Sequence, residues 1–128
     1  FKLSNNIQFD NKVTFNASMY QDIQELYMIS DLCMTDYSSV MFDFMLTDRP
    51  CLLYASDVEE YRKERDFFVT VDSLPFPLAQ TNEEMADNIL NFNEESYKQK
   101  VKEFYDFHGF CDNGTASEKV AEWIIKQM

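Results

Sequence analysis

The sequence predicts an α/β fold in which helices flank a parallel sheet. Between residues 13 and 54, short apolar runs of strand length alternate with segments whose apolar residues recur every three or four positions. The connections between these segments are short, which favours right-handed βαβ units. The composition, 45% hydrophobic and 16% aromatic over 128 residues, is sufficient for one hydrophobic core.

Four short runs are predicted to be strands. Val13 to Phe15 is a β-type run, and Leu32 to Thr35 is a mostly apolar one. Pro50 to Tyr54 begins with a proline, at the position of a strand where no ladder donor is lost. The charged stretch that begins at Asp57 is expected to form a loop or short helix leading to an edge strand at Phe67 to Val69.

Two helices are predicted among the first three strands. The first lies within Tyr20 to Ile29 and begins after Ser18 or Asp22, and the second covers Ser39 to Leu46. Their apolar faces are expected to contain Ile23, Leu26, Tyr27 and Ser30 in the first helix and Met41, Phe44 and Met45 in the second.

Three further helices are predicted after Pro75-Phe76-Pro77, which stops regular structure. Capping-box patterns at Thr81 to Glu84 and Thr115 to Glu118 open the first and third helices. The second runs from Ser96 to about Phe107 and is closed by Gly109. All three are expected to pack on the sheet, and the inward face of the last is predicted to hold Val120, Trp123, Ile124 and Met128.

The charge and cysteine content exclude several classes of function. With 11 basic and 23 acidic residues the net charge is −12, which argues against a nucleic acid or an anionic lipid surface as partner of this segment. Cys33, Cys51 and Cys111 share no metal-ligand spacing and are predicted to be reduced core cysteines of a cytosolic protein. No run approaches the roughly 18 apolar residues of a membrane span. We therefore predict no metal and no cofactor.

The stretch Thr35-Asp36-Tyr37-Ser38-Ser39 is the strongest candidate binding site. It joins a predicted strand to a predicted helix, whose first turn offers backbone N–H groups and about half a unit of positive charge. The hydroxyls of Ser38 and Ser39 add donors, so the pattern is typical of a phosphate site. The alternative is structural: Ser38 would be an N-cap and Asp36 a turn residue.

Charged residues near this stretch provide further candidates. Asp43 returns to roughly the helix face of Ser38 and Ser39, where a carboxylate could accept hydrogen bonds from a ribose or polyol. Arg49, Arg62 and Arg65 are candidate charge contacts to the ligand. For each of them the alternative is an ordinary charged surface residue, with the arginines paired to neighbouring carboxylates such as Asp48, Glu59 or Glu60.

The sequence offers little for catalysis. His108, the single histidine, is predicted at a helix end beside Gly109 and lies far along the chain from the candidate turn. No nucleophile with a paired base and no glycine-rich phosphate loop is present. We therefore predict no catalytic residue in this segment. Because the chain begins at Phe1, we also expect it to be part of a longer protein.

The run Ile29 to Phe44, followed by Arg49-Pro50 and Leu53-Tyr54, resembles the CDP-glycerol glycerophosphotransferase family of teichoic-acid-type polymer enzymes. The resemblance extends to Tyr61 to Arg65 and to Asp112 to Glu118, and so covers most of the chain. It implies a Rossmann-like fold with a helical C-terminus, the C-terminal part of a GT-B glycosyltransferase-like architecture. Residues 1–128 would then be a single donor-binding domain fragment of a two-domain transferase.

The same resemblance implies roles for the candidate residues. Ser38 and Ser39 would hold the donor pyrophosphate, Thr35 and Asp36 would shape the turn, and Asp43 would face the glycerol or ribose. The parent would transfer a polyol phosphate from CDP-glycerol to a polymer or lipid-linked acceptor and release CMP. Histidines that serve the reaction in the family lie outside this segment, so the segment alone is expected to be inactive.

The resemblance further implies a place in the cell and leaves two alternatives open. The parent would make a teichoic-acid-like or capsular polymer, peripheral to the cytoplasmic face of the cell membrane of a bacterium. One alternative is another GT-B transferase that uses a nucleotide sugar. The other is a non-catalytic Rossmann-like module that engages a partner protein through exposed aromatic residues.

Overall fold

The computed structural model describes residue 10 and residues 12–64, 69–111 and 113–128. The chain divides into two compact units, Phe1–Ser30 and Asp31–Met128. No helix within these described ranges is long and apolar enough to cross a membrane.

Among the described residues of the first unit, the helix α1 spans Ile23–Ile29. Of the two predicted starting points, Asp22 is the N-cap, because its carboxylate accepts hydrogen bonds from the N–H groups of Gln24 and Glu25. The strand predicted at residues 13–15 is wrong. Two N–H groups there, of Val13 and Thr14, donate to the Asp10 carbonyl in a turn. Residues of β propensity form a strand only beside a partner strand, and no described residue provides one for this run.

In the described residues of the second unit, three parallel strands form a sheet in the order β1-β2-β3. These strands are β1 at Cys33–Thr35, β2 at Cys51–Tyr54 and β3 at Leu78–Ala79. In register, Cys33 lies beside Cys51, and Leu53 lies beside Leu78. The first two strands were predicted, whereas β3 was not, because it has two residues and follows two prolines.

Five α-helices and one 3₁₀ turn accompany this sheet in the described residues. They are α2 at Val40–Met45, α3 at Val58–Glu64, the 3₁₀ turn at Val71–Ser73, α4 at Asn82–Leu90, α5 at Glu94–His108 and α6 at Ala116–Gln127. The predicted helices are therefore confirmed. The edge strand predicted at Phe67 to Val69 is not found at Val69, and its other residues lie outside the described ranges.

The core forms where α2, α4 and α5 meet the sheet. The predicted inner face of α2 is confirmed, since Met41, Phe44 and Met45 are buried. Helix α5 contributes Tyr97, Val101 and Phe104, and the ring of Phe104 lies 6.2 Å from that of Phe42. All three cysteines are free, as predicted. Cys51 is buried and Cys33 half-buried, but Cys111 is exposed, so its assignment to the core is wrong.

The prediction that α6 packs inward is wrong. None of its described residues is buried, and Val120, Trp123, Ile124 and Met128 are all at least half exposed. The predicted capping box at its start is also absent from the described structure: the Thr115 hydroxyl accepts no hydrogen bond from the first turn and donates to Asn113 Oδ1. Amphipathic periodicity identifies an apolar face, but whether another element covers that face depends on tertiary structure.

Candidate functional site

The candidate turn lies at the carboxyl end of β1 and leads directly into α2. Thr35 is the last residue of the strand, Asp36 is exposed, and Ser39 is the N-cap of the helix. The carbonyls of Ser38 and Ser39 accept the first helical hydrogen bonds, from Met41 and Phe42. The sequence therefore correctly predicted a strand-to-helix turn at these residues.

The two serines of the turn differ in their contacts. Ser38 is half-buried, and its Oγ accepts a long hydrogen bond of 3.4 Å from the N–H of Val40. The structural alternative made Ser38 the N-cap, but Ser39 takes that position, and Ser38 makes only this weak contact beside it. Ser39 is exposed, and its hydroxyl makes no capping bond in the described part of the chain. Ser39 can therefore donate to a ligand without losing a capping interaction.

Tyr37, in the middle of the turn, connects it to the segment that follows β2. Its hydroxyl donates to Asp57 Oδ1 at 2.8 Å, and its ring stacks on Tyr61 with 3.8 Å between centroids and 17° between planes. Burial and the hydrogen bond to Asp57 raise the pKa of the Tyr37 hydroxyl, which keeps it protonated as a donor. No local pattern in the sequence indicates this contact, because Tyr37 follows β1, whereas Asp57 and Tyr61 follow β2.

A cavity of about 400 Å³ opens beside the turn, between α2, α3 and α5. Both Ser39 and His108 lie on its wall. The wall is otherwise largely aromatic, and its described members are Tyr37, Ser39, Met41, Phe42, Tyr61, Val69, Leu74, Phe104, His108 and Phe110. The volume falls in the range of small-molecule sites. The tertiary structure thus brings the single histidine to a cavity that Ser39 also lines.

His108 lies on a face of α5 that helix periodicity identifies, although periodicity does not show that this face packs against α2. It follows Phe104 by four residues on α5, so the two side chains share a helix face. Phe104 is buried against α2, and the centroid of the His108 ring lies 4.3 Å from that of the Phe104 ring. The helix ends as predicted, with Gly109 in the left-handed conformation at φ 67°.

The predicted charged contacts are not all brought together. Asp43 is exposed on α2 and is not among the described residues of the cavity wall. Arg49 precedes β2 at the opposite edge of the sheet from the turn, and its guanidinium lies 5.4 Å from the centroid of the Phe44 ring. Arg65 lies outside the described residues. The ligand contacts predicted for these residues stay predictions.

Arg62 is held by carboxylates on α3 and the 3₁₀ turn. Its Nη1 lies 2.8 Å from Glu59 Oε1, and its Nη2 lies 2.7 Å from Asp72 Oδ1. The pair with Glu59 is the alternative role that the sequence had left open. Because two carboxylates already pair with this guanidinium, it attracts a phosphate less strongly than an unpaired arginine would.

A metal-binding role has no support from the side chains that the structure describes. Within those ranges, no three His, Cys, Asp or Glu residues are placed to hold a metal ion.

Comparison with known proteins places the chain in a family. Residues 2–126 match the model of the family described as CDP-Glycerol:Poly(glycerophosphate) glycerophosphotransferase. The chain belongs to this family. The predicted membership in the CDP-glycerol glycerophosphotransferases is therefore confirmed.

Several glycerophosphotransferase relatives come from bacteria. The chain is 42% identical over 116 residues to the teichoic acid poly(glycerol phosphate) polymerase of Bacillus subtilis (strain 168), covering 88% of this chain and 16% of that protein. It is 35% identical over 115 residues to the teichoic acid glycerol-phosphate transferase of Staphylococcus aureus (strain NCTC 8325 / PS 47), covering 87% of this chain and 30% of that protein. The chain thus spans less than a third of the length of either relative.

A solved structure supports the fold. The chain is similar to a variant of the wall teichoic acid polymerase TagF soaked with CDPG, with a TM-score of 0.69 and 35% sequence identity. The similarity covers 88% of this chain and 28% of that one. The predicted α/β fold, a Rossmann-like parallel sheet with flanking helices of the GT-B type and a helical C-terminus, is confirmed.

Proposed function

We propose that this chain is the donor-binding segment of a glycerophosphotransferase and that its ligand is CDP-glycerol or a related CDP-polyol. The observation that carries the proposal is the similarity in both fold and sequence to TagF, whose structure was obtained with CDPG. The family match over residues 2–126 supports the same donor class.

The turn from Thr35 to Ser39 is the proposed contact to the donor pyrophosphate. Ser39 provides an exposed hydroxyl, Ser38 lies beside it, and Thr35 and Asp36 shape the exit from β1. Backbone N–H groups at the start of α2 add to the attraction for a negative charge. Asp43, one helical turn later, is the proposed contact to the donor polyol or ribose.

The proposed reaction of the parent enzyme is transfer of a polyol phosphate. An acceptor hydroxyl attacks the β-phosphorus, the bond from that phosphorus to the bridging oxygen breaks, and CMP leaves. A base outside this segment takes the proton of the hydroxyl, and the turn stabilises the charge on the phosphates. The segment on its own is therefore expected to bind the donor without transferring it.

The relatives suggest the product and leave the polyol open. They include enzymes named for poly(glycerol phosphate) and four named for ribitol phosphate, among them the teichoic acid poly(ribitol-phosphate) polymerase of Bacillus spizizenii (strain ATCC 23059 / NRRL B-14472 / W23), at 34% identity. We propose that the parent contributes to a teichoic-acid-like polymer, with a polymer or lipid-linked acceptor, at the cytoplasmic face of a bacterial membrane. The acceptor would contact parts of the parent beyond this segment.

Titration followed by calorimetry and NMR tests the proposal. CDP-glycerol, CDP-ribitol, CDP and UDP are added separately to the chain, and the amide signals of residues 38–43 are followed. We expect shifts with the CDP ligands and weaker ones with UDP. Equal responses to UDP would favour another nucleotide-sugar transferase. Silence toward every nucleotide would contradict donor binding and favour the non-catalytic module.

Two serine variants locate the site. Ser39→Ala removes the proposed donor to phosphate, and loss of a hydrogen bond to a charged group should weaken CDP-glycerol binding about tenfold or more. Ser117→Ala is the matched control, because Ser117 is exposed in the first turn of α6. It should bind like wild type. Equal losses in both variants would argue against a site at the β1–α2 turn.

A further inference from the structure

We infer that Tyr37 is a positioning residue for the backbone and hydroxyls of Ser38 and Ser39, acting through Asp57 and Tyr61. The inference deepens the proposed function, and rests on it for the identity of the ligand. In this role Tyr37 holds the two serines in place and need not touch the donor itself.

Tyr37 is anchored in two ways on the neighbouring connection of the sheet. The hydrogen bond to Asp57, at 2.8 Å, fixes the end of the side chain, while the stack on Tyr61, at 3.8 Å, fixes the plane of its ring. Ser38 follows Tyr37 directly in the chain. Holding Tyr37 at both its hydroxyl and its ring therefore restricts the backbone at the start of the serine pair.

The two residues that anchor Tyr37 lie at the start of α3. The carbonyl of Asp57 accepts hydrogen bonds from the N–H groups of Glu60, at 3.0 Å, and Tyr61, at 2.9 Å. The first turn of α3 thus fixes the position of Asp57 relative to Tyr61. Tyr37 consequently binds to a preformed surface and connects the loops that follow β1 and β2.

Such a connection matters for a binding turn whose own capping is weak. The Ser38 Oγ contact to Val40 is 3.4 Å long, and Ser39 has no side-chain capping bond among the described contacts. A turn that is ordered before the ligand arrives loses less conformational entropy on binding. Tyr37 would provide that order from outside the turn.

The chain offers variants that separate a specific hydrogen bond from general damage. Tyr37→Phe keeps the ring and removes the hydroxyl. Asp57→Ala removes the acceptor, whereas Asp57→Asn keeps an acceptor oxygen and is expected to rescue the contact. Tyr54→Phe is the matched control, because the Tyr54 hydroxyl donates to Asn82 at 3.0 Å and Tyr54 ends the adjacent strand β2.

Two measurements are made on each folded variant, as verified by thermal melting. The first is the heteronuclear ¹H–¹⁵N NOE of the Ser38 and Ser39 amides without ligand. The second is the Kd for CDP-glycerol. Tyr37→Phe and Asp57→Ala should lower the NOE at both serines and weaken binding about three- to tenfold, the value of one ordinary hydrogen bond. Asp57→Asn and Tyr54→Phe should match wild type.

The outcomes distinguish this inference from the proposed function. If wild type binds CDP-glycerol but Tyr37→Phe leaves both the serine NOE values and the Kd unchanged, Tyr37 is not a positioning residue. A loss of the same size in Tyr54→Phe would overturn the specific role as well. If wild type binds no CDP-glycerol, the proposed function fails, and the NOE values still decide whether Tyr37 orders the turn.

Discussion

The hydroxyl of Tyr97 on α5 accepts a hydrogen bond of 3.2 Å from the backbone N–H of Cys51, the first residue of β2. It also donates to the carbonyl of Arg49, at 3.2 Å. One side chain thus satisfies two backbone groups at the point where the chain enters the central strand. The contact fixes α5 against the same sheet that carries the candidate turn at its other edge.

Tyr97→Phe should destabilise the chain. The substitution leaves the buried N–H of Cys51 without this partner, which costs about 1–3 kcal/mol in the free energy of unfolding. Urea unfolding followed by circular dichroism measures the change. Tyr54→Phe removes a hydroxyl that donates to an exposed side chain and should cost less. Equal losses would contradict the role given to the Tyr97 contact.

Stability should fall at alkaline pH. Burial raises the pKa of both Tyr97 and Tyr37 in the folded chain, and the hydrogen bond to Asp57 adds to the rise at Tyr37. These contributions are fully present below the unfolded tyrosine pKa of about 10. Above that value the unfolded chain releases protons that the folded chain retains, so the free energy of unfolding decreases as pH rises.

Urea unfolding at a series of pH values between about 9 and about 11 checks this dependence. The decrease should be shallower in Tyr97→Phe, which lacks one of the two groups. A free energy of unfolding that stays constant across this range in wild type would contradict the shifted pKa values.

Cys33 should react with alkylating reagents near neutral pH. It lies in register with Cys51, and a hydrogen bond with that thiol lowers the pKa of Cys33 to about 7. The same bond, together with burial, raises the pKa of Cys51. In a Cys111→Ser background, the rate of iodoacetamide alkylation at Cys33 should therefore reach half its maximum near that pH. Mass spectrometry identifies the modified residue.

Replacing the neighbouring thiol tests the cause of this reactivity. Cys51→Ala removes the hydrogen bond, so the midpoint for Cys33 should move up toward the ordinary thiol pKa of about 8.5. An unchanged midpoint would show that Cys51 does not control the reactivity of Cys33.

Thr81 and Thr115 form a natural pair for measuring capping. The Thr81 Oγ1 accepts a hydrogen bond from the N–H of Glu84, whereas Thr115 makes no such bond in the described structure of α6. Thr81→Ala should therefore cost about 1 kcal/mol in the free energy of unfolding, and Thr115→Ala distinctly less. Chemical unfolding of both variants makes the comparison. A larger decrease in the free energy of unfolding for Thr115→Ala than for Thr81→Ala would support the capping box that the sequence predicted at Thr115.

Trp123, the single tryptophan, should behave as an exposed residue in this chain. Its exposed fraction is 64%. We expect fluorescence emission near that of a solvated indole and strong quenching by acrylamide, with little change on unfolding. Emission shifted to the blue and protected from acrylamide would show that another surface covers this face of α6.

Much of the fold followed from local patterns. The apolar positions 41, 44 and 45 repeat at helical spacing, and all three are buried in α2. Cys51 to Leu53 is a continuous apolar run and forms the buried central strand. The prediction of a strand near Val13 was wrong because a strand must pair with a neighbouring strand, and no local pattern shows whether such a strand is available.

The candidate site followed from sequence only in part. The turn at Thr35 to Ser39 joins a strand to a helix through adjacent residues, so its type could be read locally. The approach of His108 to the cavity depends on how α5 packs against α2, and the contact between Tyr37 and Asp57 joins residues 20 positions apart. Such contacts arise from packing between elements.

The sequence by itself determined the periodicity of the helices, the apolar strands β1 and β2, the turn with its two serines, and the family to which the chain belongs. The tertiary structure decided the short strand β3, the exposure of α6 and the connection of Tyr37 to Asp57 and Tyr61. The physical reason is the range of the interactions. Periodicity and capping act over three or four residues, whereas strand pairing and side-chain packing join segments that are distant in sequence.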